Sequence, residues 1–407
     1  MKIALDVMGG DLAPFSNIEG AFSYIEETKD SATQLLLVGD KPTIEKAISK
    51  YPQFADNIQI IHTTEVVEMD EKPSRIFRTK PDSSLVRCID LIKNGDADAA
   101  ISAGNTGALL ASSLFMLGKI SGIRRPALAP FIPTEKGGVI LCDAGANADV
   151  KPQHLVQFAL MASAYLEVQE NVKSPRVALI NIGSEEGKGN ELSRSAYPLL
   201  KGHIENFVGN IESRYFLNGD VDVIVCDGFT GNIILKLTEG LFKNITEFLK
   251  DSLSDNGTDV SQFMPILGNL KTKYDYEEHG GTPLLGINGI VMKCHGSSSK
   301  RSIKNAIIAV KKFHDANLIN EIADRWNSSQ DGSKLIPTSK GSYEDILAAF
   351  IAAYRAGEHP HMVQIYDAGA AIMVAQVKNG VVYPFEDMAD KYGVNFNKDD
   401  YIPGIRN

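Results

Sequence analysis

The chain has 407 residues, 43% of them hydrophobic, with a formal net charge of −10 and a pI near 5.4. That length holds two domains, or one large α/β domain with an appendage. The acidic balance, with no basic stripe able to neutralise a run of phosphates, excludes bulk nucleic-acid binding.

In chain order, the first residues enter an apolar strand at once and meet Gly9, Gly10 and Asp11, too early for a signal peptide. No run approaches the roughly 18 to 20 apolar residues that span a bilayer, so a cytoplasmic protein is expected. Strand-like runs at 3–7, 34–39, 57–62, 97–103, 138–144 and 176–182 alternate with stretches of helical period. One such stretch is Leu109, Leu110, Ser113, Leu114 and Leu117. The alternation predicts βαβ units and a doubly wound, mostly parallel α/β sheet.

Residues 233–253 read as an amphipathic helix. Beyond a polar turn, Phe263, Met264, Ile266, Leu267 and Leu270 beside Lys271 and Lys273 predict a protruding helical arm. Such an arm packs on another helix or a second copy, or lies on a membrane surface. The composition changes again near residue 318, with no internal repeat linking the two parts. The cysteines, Cys88, Cys142, Cys226 and Cys294, are far apart and lack zinc or redox spacing, so buried thiols are expected.

The functional signal lies where the strands end. In an open α/β sheet the carboxyl ends of the strands line the ligand crevice, and here they carry Gly, Asn, Asp, Ser and His. Gly104, Asn105, Thr106 and Gly107 open a helix whose amides face an anion, or form a plain strand-to-helix turn. Asp143 and Asn147 have the same placement; without a second carboxylate at ligand spacing, no metal site is expected. Gly183, Ser184 and Asn190 belong to a loop in which Lys188 stands between two glycines. Glycine raises the entropy lost on ordering, and that cost makes sense if Lys188 reaches into a crevice to meet an anion. Asp227, Thr230 and Asn232 again end a strand and start a helix. His295 and Ser297 form the last such loop, with His295 able to donate a proton or a hydrogen bond to an oxyanion.

This rim suits acyl or phosphoryl transfer to a phosphate-bearing substrate. No G-x-S-x-G elbow occurs and no serine or cysteine has an evident neighbouring base, so the attacking group is a substrate such as inorganic phosphate. The glycine fingerprint of a nicotinamide-dependent dehydrogenase is missing.

At these residues the chain closely resembles the bacterial phosphate acyltransferases of phospholipid synthesis. The resemblance is carried by ALDVMGGDLAP, ISAGNTGALLA, GIRRPALAP, DAGANADVKPQHLVQFA, INIGSEEGKGNE, FVGNIE, DGFTGNIILKLTEG and IVMKCHGSSS, in family order over about residues 1–318. Asn288 and Cys294 are small departures that leave the motifs intact. The resemblance implies transfer of an acyl chain from acyl carrier protein to inorganic phosphate, giving an acyl phosphate for a downstream membrane glycerol-3-phosphate acyltransferase. It also implies a homodimer, no cofactor, work at the membrane surface as a peripheral protein, and a fold like phosphotransacetylases and isopropylmalate dehydrogenases. Carried onto this chain, Lys188 becomes the leading catalytic candidate, with Asn232 and His295 as orienting donors.

Residues 319–407 resemble instead a truncated part of periplasmic glycerol-3-phosphate binding proteins, through ADRWNSSQ, KGSYEDILAAFIAAYRAG and VQIYDAGAA. In that resemblance Tyr343 and Asp367 match ligand-touching positions. It leaves a glycerol-3-phosphate binding protein, or a bifunctional fusion, as the alternative to an acyltransferase with an appended fragment.

Overall fold

A computed structural model describes residues 1–49, 51–255 and 279–329. All of them belong to the first of the two units into which the chain divides, Met1–Ile336. The expected arm around Phe263–Lys273 and the positions Tyr343 and Asp367 lie outside the described residues.

The first half begins β1 (Lys2–Asp6), α1 (Phe15–Thr28), β2 (Gln34–Gly39), α2 (Lys41–Ile48) and β3 (Ile58–His62). It continues through the single turn α3 (Ile76–Thr79), α4 (Ser84–Lys93), β4 (Ala99–Ser102) and α5 (Thr106–Met116). Next come β5 (Ala127–Leu128), β6 (Phe131–Thr134), β7 (Gly137–Cys142), α6 (Pro152–Glu170), β8 (Val177–Asn181), α7 (Glu191–His203) and β9 (Phe207–Glu212). The rest is β10 (Val223–Val225), α8 (Gly228–Asp255), β11 (Thr282–Leu285), β12 (Ile290–Lys293), α9 (Lys300–Asp315) and α10 (Leu318–Ser328).

The strands form two sheets, ordered β3-β2-β1-β4-β12-β11-β5 and β6-β7-β10-β8-β9. Pairing is parallel except at β11 with β12 and β5, and at β6 with β7. The mostly parallel α/β expectation holds, but the strands are divided between two sheets. Ala127–Thr134 makes the division: its first two residues pair with β11 in one sheet, and Phe131–Thr134 pairs with β7 in the other. Pro130 sits between them and can donate no ladder bond of its own, yet its carbonyl still accepts from Leu141 N at 3.1 Å.

Central strands such as β1 and β4 are buried along nearly their whole length, which is why they read as unbroken apolar runs. Helix α6 is buried on most of its circumference, with Leu155, Phe158, Ala159, Ala162, Tyr165 and Leu166 in the core. Helix α9 is amphipathic, and Ile303, Ile307, Val310 and Phe313 recur at the spacing of one helical face. Helix α10 runs past residue 318 and packs on the same core through Leu318, Ile322 and Ala323, with Arg325 paired to Glu167 of α6. All four cysteines are free and buried.

Asp143 joins the sheets. It is fully buried, and its two oxygens accept from Leu128 N, Gly145 N, Ala146 N, Asn147 N and Asn147 Nδ2 at 2.7–3.3 Å. Asn147 Nδ2 also donates to Pro126 O at 2.7 Å, and Asn147 O accepts from Gly228 N at the start of α8. Removing the carboxylate leaves several buried N–H groups unpaired, each costing about 1–3 kcal/mol. Asp143→Ala is therefore expected to lose about 3 kcal/mol or more in urea unfolding, with Asp143→Asn losing less because it keeps one acceptor.

Candidate functional site

The carboxyl ends of β1, β4 and β12 bring three loops together. The β1 loop is shaped by Asn17, whose buried Nδ2 donates to the carbonyls of Asp6, Val7 and Gly9 at 2.9–3.3 Å. Gly10 has φ +102°, which an L side chain rarely adopts, and Asp11 N donates to Gly296 O at 2.7 Å. Asp6 is buried and accepts from Ser102 Oγ at 2.6 Å, and Ser102 Oγ in turn accepts from Gly104 N at 3.0 Å. Burial pushes the Asp6 carboxyl above its ordinary range.

Several expected site residues spend their side chains inside the protein. Asn105 caps α5 by accepting from Ala108 N, and its Nδ2 donates to the carbonyls of Glu68, Met69 and Glu71. Asp143 and Asn147 form the buried node described above. Asn190 caps α7 through Ser193, and Asp227 accepts from Thr230 N and Oγ at 2.8 Å. These loops can offer a ligand their backbone, with these side chains fixing its shape. Gly104 and Gly183 are buried, Gly107 packs on Pro73, and Thr106 and Ser184 are exposed.

Asn232 lies one turn into α8, exposed and next to Gly145. The preceding Gly231 has no room for a side chain, since a Cβ there would stand 1.9 Å from Asp143 O. One turn further, Lys236 comes within electrostatic reach of His295 and Lys293. The second sheet's rim thus approaches the first through α8.

His295 Nδ1 takes Ser297 N at 3.3 Å and Ser297 Oγ at 2.8 Å. An Nδ1 that accepts from a backbone N–H leaves the proton on Nε2. Partial desolvation, reinforced by Lys236, lowers the His295 pKa, so the ring is a neutral donor at pH 7. Ser297, expected in the sequence as a phosphate-binding loop residue, is instead the hydroxyl partner of His295, a neighbouring base that the spacing did not reveal.

Lys188 sits apart from this cluster in its described contacts. Its Nζ is 3.8 Å from Glu185, its carbonyl accepts from Asn181 Nδ2, and it is more than half exposed. A loosely paired exposed cation can exchange its partner for an anion. The loop's other described bonds run to Asn210 of β9 and Lys201 of α7.

The residue that sequence reasoning missed is Lys293. It ends β12, is 9% exposed, and donates to Ala103 O at 3.5 Å and to Cys294 O. Among the described residues it makes no ion pair, although Asp6 and Asp11 lie within electrostatic reach. Burial lowers its pKa to about 8. Among the described residues no group of three or more His, Cys, Asp or Glu side chains could hold a metal ion.

A family model described as a fatty acid synthesis protein matches residues 1–321. The phosphate acyltransferase of Alkaliphilus oremlandii is 47% identical over 334 residues, covering 81% of this chain and 99% of that protein. That of Clostridioides difficile is 46% identical over 326 residues, covering 79% and 95%. This chain belongs to the phosphate acyltransferase family. A phosphotransacetylase from Streptococcus pyogenes shares the fold, with a TM-score of 0.53 at 16% identity over 77% of this chain and 94% of that one.

For a phosphate acyltransferase, a buried ammonium among strand-end loops is a standing cost that folding alone does not require. Its pKa is lower folded than unfolded, so between about 8 and 10.5 the unfolded chain binds more protons and stability rises with pH. Lys293→Met should thus unfold at higher urea at pH 7, by roughly 3 kcal/mol. The gain should fade as pH approaches 10.5, where the lysine is neutral in both states.

Proposed function

We propose that this chain transfers a fatty acyl group from the thioester of acyl carrier protein to inorganic phosphate, forming acyl phosphate and a free carrier thiol. Membership of the family supports the reaction. The observation that carries it to particular residues is the meeting of Lys293, a buried cation, with His295, a neutral N–H donor, at the rim that α8 approaches with Asn232 and Lys236.

In this reading the cations attract and orient phosphate, and one of its oxygens attacks the thioester carbonyl. The Asn232 amide and exposed loop N–H groups stabilise the developing oxyanion. The C–S bond then breaks as His295 Nε2–H, in the tautomer that Ser297 maintains, donates a hydrogen bond to the leaving sulfur, and the proton of the attacking hydrogen phosphate ends on the carrier thiol. Lys188 adds positive charge from the loop after β8.

We place the catalytic body at 1–328, through the end of α10, which packs on its core, with the remainder as an appendage. The likeness to glycerol-3-phosphate binding proteins rests mostly on residues outside the described part, and its first motif, ADRWNSSQ, begins inside α10 of the body. The chain is read as cytoplasmic and peripheral to the membrane, handing its product to a membrane glycerol-3-phosphate acyltransferase. No helix among the described residues is long and apolar enough to cross a membrane.

Helix α8 supports a homodimer. Phe229, Ile233, Leu237, Leu241, Ile245 and Phe248 recur every three or four residues and are 42–69% exposed. An apolar stripe of that length is costly to leave in water, and two copies of it can cover one another about a two-fold axis.

The full chain, given acyl carrier protein thioester and phosphate, should yield an acyl phosphate that hydroxylamine traps as a hydroxamate; no trapped product sinks the reading. Lys188→Ala should lower turnover roughly 100-fold, and a loss of less than about twofold removes it from the mechanism. Leu237→Glu with Leu241→Glu should convert dimer to monomer in sedimentation equilibrium. An unchanged mass would reject the pairing of these faces.

A further inference from the structure

The segment between α5 and β5 folds back on α6 through one buried side chain. Gln157 accepts from Arg124 N at 2.8 Å and donates to Gly122 O at 2.9 Å. Lys119 Nζ donates to Arg124 O at 2.9 Å. At the start of α6, Lys151 N donates to His154 Nδ1 at 3.1 Å. The result is four exposed cations, Lys119, Arg124, Arg125 and Lys151, gathered around the buried His154.

Among the described residues none of these four side chains is ion-paired, whereas many other lysines and arginines of the chain are. In a chain of net charge −10, an unpaired group of four cations stands out. His154 registers their field, because burial and then Arg125, Arg124, Lys151 and Lys119 hold its pKa below the ordinary value. The patch also adjoins the candidate site, since Pro126 O accepts from Asn147 and Asn147 O accepts from Gly228 at the head of α8.

We propose that Lys119, Arg124, Arg125 and Lys151 form the docking face for the acidic surface of the carrier protein that delivers the acyl thioester. This rests on the acyl-transfer reading above. The flexible arm of a docked carrier then needs to cross only the Asp143–Asn147 loop to reach the rim. None of the large exposed apolar side chains falls in 118–126 or 148–154, so the face lacks the insertion residues that a lipid surface would use. The cations are exposed and spread over two segments, which suits a broad acidic protein surface better than one small anion.

The test uses Arg124→Glu with Arg125→Glu, side chains outside the catalytic rim. Binding of phosphopantetheinylated acyl carrier protein by calorimetry should weaken about 10-fold or more, and the KM for the acyl carrier thioester should rise in step. Turnover, the KM for phosphate and activity with acyl-pantetheine should not change. The His154 pKa, followed by NMR, should rise as the nearby cations disappear. Unchanged carrier binding overturns the proposal, as does a loss shared equally by acyl-pantetheine. Retained carrier binding with lost binding to anionic phosphatidylglycerol vesicles reassigns the face to a membrane. A chain that binds the carrier through these cations yet makes no acyl phosphate from either donor keeps the docking face and sinks the acyl-transfer reading.

Discussion

The arrangement depends on a carboxylate taken out of water. Asp143 is tolerable in the interior only because N–H groups from β5, its own loop and Asn147 converge on its two oxygens. Burial pushes its pKa up while those bonds pull it down. The same bonds fix the end of β7 against β5, and through Asn147 they fix the first turn of α8. The residue that looked like a ligand in the sequence is thus the one that gives the crevice its shape.

Much of the fold was legible because its physics is local. QLLLVG ends where β2 ends, since it is an apolar run bounded by turn formers. The helix after Asn105 and the long helix from Gly228 also follow from their periodicity and caps. The division into two sheets was not legible. It turns on ALAPFIPT, too short and too proline-rich to read as a strand, whose pairing is decided by partners distant in sequence. Of the site, the strand-end loops were readable as loops, but which side chains they spend internally was not. Asn105 and Asp227 look alike on paper whether they meet a ligand or cap a helix. Lys293 escaped notice because a lysine at a strand end is ordinarily solvated, and only the fold shows this one buried between Ala103 and Cys294.

Charge is distributed with the same division of labour. Acidic residues dominate the chain, yet the rim gathers Lys293 and Lys236 near His295, and the adjoining face gathers four more cations. Buried positive charge binds an anion strongly because little water competes for it, and it weakens the fold for the same reason. Exposed positive charge guides a large partner at small cost to the fold.

The strand segment Ala127–Thr134 has a consequence for how the body comes apart. One half completes the edge of the first sheet and the other half completes the edge of the second, while Asp143 holds the junction from the side. Neither sheet can shed that edge without uncovering the other's ladder. The two sheets therefore share one cooperative unit, and amides on both sides of the junction should exchange with solvent through the same opening event.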